Sequence, residues 1–61
     1  MTNDLQSRID WELDKAHRCD VRARLARRQG NGAMCALWEI YARQYRHTAA
    51  QLQGYLAEVT A

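Results

Sequence analysis

From Met34 onward, uncharged side chains recur in alternating steps of four and three residues: Met34, Trp38, Tyr41, Tyr45, Thr48, Leu52, Tyr55 and Val59. A repeat averaging 3.5 residues is the seam of one helix packing along another. The first half carries the matching alternation at Leu5, Ile9, Glu12, Ala16, Cys19, Ala23 and Ala26. Between the halves, Gln29-Gly30-Asn31-Gly32 interrupts the pattern. Gly30 suits the left-handed position just past a helix end, and Asn31 can cap the next helix. At the start, Thr2 or Asn3 can serve as N-cap, and Asn3 with Gln6 approximates a capping box. Asp4 in the first turn and Arg27 and Arg28 in the last suit the helix dipole. The spacing predicts an all-α fold, an antiparallel two-helix hairpin with helices over residues 4–29 and 32–59. Each helix would be roughly 40 Å long, and residues 1–61 would form one domain.

Folding the chain at Gly30 brings the two seams together in order. Ala23 falls level with Trp38, Cys19 with Tyr41, Ala16 with Tyr45, Ile9 with Leu52, and Leu5 with Tyr55 or Leu56. Small residues on the first helix would then face large ones on the second, an arrangement that fills space well. Glu12, the charged member, falls opposite Thr48, the hydroxyl member, and a hydrogen bond between them is expected.

The second helix has another strip beside the first. Cys35, Ala42, Ala49 and Leu56 recur every seven residues and flank Trp38 and Tyr45. Leu13 and His17 of the first helix project toward the same side. A lone hairpin facing its partner helix through the Met34-to-Val59 seam would leave this strip in water. The expectation is a two-fold homodimer, a four-helix bundle with this strip as its interface.

Composition narrows the picture. A chain of 61 residues hides only about 60% of its unfolded surface, so pairing would supplement a marginal core. The absence of proline and the presence of only three glycines argue against a run of strands and turns. A net charge of +2 is too mild to imply nucleic acid by itself. The uncharged stretch from Gln29 to Trp38 is far too short to span a bilayer. Met1-Thr2-Asn3-Asp4 does not open like a signal peptide, so a cytoplasmic setting is expected. There two cysteines are more often free than bridged. Cys19 and Cys35 also fall at different levels of the hairpin, roughly 10 Å too far apart for a bond.

Little in the sequence points to chemistry. His17 and Cys19 would point about 200° apart on a helix, and His47 has no ligand-type residue at metal spacing on its face. Gly30-Asn31-Gly32 lacks the lysine and hydroxyl of a phosphate loop. Ser7, the sole serine, has no nearby histidine. A two-helix hairpin offers no cleft for a substrate. No enzyme activity, cofactor, metal, membrane or small-molecule ligand is expected. Trp38, Tyr41, Tyr45 and Tyr55 lie at seam positions, which assigns them to the core before any base-stacking role.

One outward face is unusual. Arg8, Trp11, Lys15, Arg18, Arg22 and Leu25 alternate steps of three and four along the first helix. Tryptophan and arginine are the residue types enriched at binding hot spots. This stripe is a candidate dock for an acidic partner, with Trp11 as anchor. Asp4, Asp10 and Asp14 are close enough to pair with its bases, the ordinary behaviour of a solvated face. Arg22, Arg24, Arg27 and Arg28 form a further basic group near the tip. It suits the helix dipole and is a candidate contact for phosphate or an acidic groove.

The two Ala/Arg-rich segments, the Gly30-Asn31-Gly32 turn and the helical run Trp38-Glu39-Ile40-Tyr41-Ala42 resemble small helical proteins that bacteriophages make to redirect a host. In design the chain is similar to the phage quorum-sensing anti-activator family. That resemblance implies a dimer of hairpins in the host cytoplasm that blocks a host transcription regulator by steric occlusion. DNA-reading faces are basic, so such a target would call on Asp10, Asp14 and Asp20. The plan also resembles the plasmid copy-control RNA-binding protein, in which outward faces of first helices grip paired RNA loops. That alternative would use Arg8, Lys15, Arg18 and Arg22, and binding would weaken steeply as salt rises.

Overall fold

The computed structural model describes residues 2–61, Thr2 through its backbone alone. Two helices, α1 (Thr2–Arg28) and α2 (Gly32–Thr60), pack side by side as an antiparallel hairpin. Its backbone measures 46 × 14 × 10 Å. α1 already includes Thr2, so neither Thr2 nor Asn3 is its N-cap; the position that would cap it lies outside the described residues.

The turn does two tasks in two residues. Gly30 adopts φ 74°, where a side chain would crowd the following carbonyl. With Gly30 in that conformation, its N–H donates to Arg27 O at 3.1 Å and Asn31 N–H donates to Ala26 O at 2.8 Å. This nested pair satisfies the last carbonyls of α1. Asn31 then opens α2: its Oδ1 accepts from Met34 N–H at 3.1 Å, and its carbonyl accepts from Cys35 N–H at 3.0 Å.

The α1 side of the interface follows the expected seam. Ile9, Glu12, Ala16, Cys19, Ala23 and Ala26 are buried, and Leu5 is half-buried. The α2 side departs from it. Cys35, Ala42 and Ala49 are the buried residues of α2. Trp38, Tyr45, Leu52 and Leu56 flank them at partial exposure. Met34, Tyr41, Tyr55 and Val59, expected to face α1, are exposed. The α2 helix is thus rotated so that small residues meet small residues. Methyl and thiol groups on both sides let two backbones approach closely, whereas facing rings would hold them apart. The aromatic side chains lie beside this contact.

That rotation corrects two expectations. The strip assigned to a dimer interface is covered within one chain: Cys35, Ala42 and Ala49 lie against α1, with Trp38, Tyr45 and Leu56 half-buried beside them. The bare strip that motivated two-fold pairing is therefore not bare. Leu13 and His17 remain exposed. The Glu12–Thr48 hydrogen bond is also absent. The Glu12 carboxylate accepts instead from Arg8 Nε at 3.0 Å, one turn back. Thr48 Oγ1 donates to Gln44 O on its own helix at 3.2 Å.

On one side of the hairpin, ion pairs join the helices. Arg46 pairs with Asp20, and Arg27 pairs with Glu39 at 3.0 Å. Glu39 Oε1 also accepts from the Cys35 thiol at 3.1 Å. Cys19 and Cys35 are both buried and free.

Candidate basic-aromatic face

The basic stripe of α1 does not stand off into solvent. Arg22 leans onto a ring that α2 presents beside the seam, while Arg8 and Lys15 lean onto Trp11 of α1 itself. Trp11 meets Tyr45 edge to face, with centroids 6.1 Å apart and planes at 80°. Two cations from neighbouring turns lie over Trp11: Arg8 Cζ at 5.1 Å and Lys15 Nζ at 5.4 Å from its centroid. Farther toward the turn, Arg22 Cζ lies 4.9 Å from the centre of Trp38. Trp38 in turn meets Tyr41 edge to face at 5.8 Å. Ring faces are electron-rich, so cations settle there, and ring edges find the next ring's face. The result is a continuous patch in which basic and aromatic groups alternate across both helices.

Trp11 is 47% exposed even so, which leaves a large apolar surface for a partner to cover. Met34, Tyr41, Tyr55 and Val59 are exposed as well. Between the helices a groove of about 240 Å³ is lined by Lys15, Arg18 and Arg22 from α1 and Trp38, Tyr41 and Tyr45 from α2, with Cys19 between them.

Charge pairing separates the bases of this face. Arg8 is engaged with Glu12. Arg18 Nε donates to Asp14 at 2.8 Å, in a pair exposed on both sides. Lys15 and Arg22 have no carboxylate partner among the described residues. Compared with known families, curated proteins and solved structures, this chain matches none.

The remaining candidate residues fall elsewhere. Leu25, assigned to the stripe, belongs to another patch with His17, Val21, Arg24 and Arg28 on the outer side of α1. Of the acidic candidates, Asp14 and Asp20 are held in ion pairs within the chain. Asp10 accepts from Gln6 Nε2 at 3.0 Å. Spacing alone assigned Trp38, Tyr41, Tyr45 and Tyr55 to the core; Trp38 does pack, half-buried, against Ala23, Ala26 and Cys35, Tyr45 is half-buried, and Tyr41 and Tyr55 are exposed. The signal that would have found this placement is residue size, because a small-residue strip on α1 selects a small-residue strip on α2.

Among the described residues, no three His, Cys, Asp or Glu side chains gather as metal ligands do. No helix among the described residues is long and apolar enough to cross a membrane.

Proposed function

We propose that this hairpin is a non-enzymatic binding protein that docks on an acidic, partly apolar protein surface and acts by covering it. One observation carries the reading. Lys15 and Arg22 are on tryptophan rings, without carboxylate partners among the described residues, on a face where Trp11 is half exposed. Aromatic anchors supply the area of a contact and the free cations supply its direction.

The blocking of a host transcription regulator, implied by the phage resemblance, fits this mode in one form. Of Asp10, Asp14 and Asp20, which would have to meet a basic DNA-reading face, the last two are held in ion pairs within the chain. Contact through the basic-aromatic face would fall on an acidic part of such a regulator and hinder DNA binding by bulk.

The test is affinity capture compared between variants, with and without nuclease. The parent chain and Arg43→Gln should retain the same protein after nuclease treatment, while Trp11→Ala loses it at unchanged helicity. Capture that disappears with nuclease would assign the face to nucleic acid. Undiminished capture by a helical Trp11→Ala chain would remove the face from partner binding.

A further inference from the structure

We infer that the groove beside Trp38 seats a carboxylate side chain of the partner, presented by an acidic amphipathic helix lying along α1. This rests on the protein-docking reading above and names the chemistry of the partner. Size comes first. At about 240 Å³, the groove falls short of the roughly 300–1,000 Å³ of small-molecule sites, yet it admits a side chain.

Donor geometry comes second. A guanidinium lying over a ring uses its flat face for the contact, and its planar fork of N–H groups stays free for a carboxylate. Arg22 Cζ lies 4.9 Å from the Trp38 centroid, within reach of such a contact. Lys15, half-buried near Trp11, brings three further donors to the same groove. Among the described residues neither has a carboxylate partner.

Spacing comes third. Lys15 and Arg22 are seven residues apart, about 10.5 Å along the helix. A partner helix with acids at the same interval matches that spacing, as flanking charges do in paired helices. Its apolar stripe would lie on Trp11 and Tyr41, both exposed. Asp14 beside Arg18 offsets positive charge along this face, which weakens its match to the continuous negative charge of a phosphate backbone.

The experiment uses the intrinsic tryptophan fluorescence of the full chain. The probe is a synthetic three-heptad helical peptide with leucines on one stripe and glutamates at seven-residue intervals beside it. A glutamine version and a single-stranded RNA oligonucleotide serve as comparisons. The glutamate peptide should bind and shift the emission. Arg22→Gln and Lys15→Gln should each weaken it by about tenfold or more, as loss of a charge-assisted contact implies. Arg24→Gln and Arg43→Gln remove the same charge elsewhere and should leave affinity within about twofold. Helicity measured by circular dichroism shows that each variant is folded.

Equal weakening by all four variants would reduce the effect to net charge and overturn the groove. Equal binding of the glutamine peptide, or tighter binding of RNA, would overturn it too. Failure of the glutamate peptide to bind, with Trp11→Ala still abolishing capture, would overturn the groove alone and leave the docking reading standing. Capture indifferent to Trp11 would remove that reading as well.

Discussion

Gly30 is the residue on which the hairpin turns. Its φ of 74° permits the two carbonyl-capping bonds, and a Cβ built there meets nothing within 4 Å. The penalty for a side chain is therefore conformational, not steric crowding by neighbours. Gly30→Ala should destabilise the fold by about 1 kcal/mol, read as a lower urea midpoint at unchanged slope. Glu12 presents the opposite case, a buried charge whose ion-pair partner is exposed. Its side chain is 4% exposed and that of Arg8 is 60% exposed, so the pair itself contributes little. Stripping the donors is another matter. Arg8→Ala should cost about 1–3 kcal/mol by leaving a desolvated carboxylate unpaired. Adding Glu12→Leu removes the charge and should recover most of that loss in thermal melts. No recovery would mean that Arg8 acts through its own packing. The Glu12 burial was legible in the sequence, but its partner was not. Local one-turn bonds satisfied both Glu12 and Thr48 before any bond across the interface was needed.

At the scale of the helices, the legible part was the one with a single solution. α1 has one strip of small apolar residues, and it is buried as its spacing implies. α2 has two strips offset by one residue, Met34-Tyr41-Thr48-Tyr55 and Cys35-Ala42-Ala49-Leu56. Both repeat every seven residues, so periodicity cannot choose between them, while close backbone approach can. The choice left Trp38 and Tyr45 half-buried beside the seam and Tyr41 exposed, and so made the candidate face. Ala42, 1% exposed, is among the most buried residues of this contact. Ala42→Leu should cost about 1–3 kcal/mol through overpacking. Ala36→Leu, at an exposed position of the same helix, should stay within about 0.5 kcal/mol. Equal melting temperatures for the two variants would contradict the small-to-small seam.

The molecule as a whole has a thin core for the surface it carries. The buried hydrophobic residues are Ile9 and a set of alanines and cysteines, while large side chains from Trp11 to Val59 remain open to solvent. Such a chain gains stability from whatever covers that surface. A partner at a hundred times its dissociation constant adds about 2.7 kcal/mol. For a domain this small, that raises Tm by roughly 10–20 °C. Calorimetry of the chain with saturating glutamate peptide should show such a rise, diminished by salt as exposed charges are screened. An unchanged Tm under saturation would mean that binding, if any, does not depend on the folded face.

The turn has a kinetic consequence as well. Contacts between the helices lie at increasing sequence distance from Gly30: 12 residues for Arg27–Glu39 and 26 for Arg46–Asp20. Closing the nearer pair shortens the loop that the next must close, so assembly proceeds outward from Asn31 and should be fast, as local topologies are. The order of disassembly is the reverse. Amide protons near Leu5 and Leu56 should exchange before those near Ala26 and Cys35, leaving the capped turn as the last part of the hairpin to come apart.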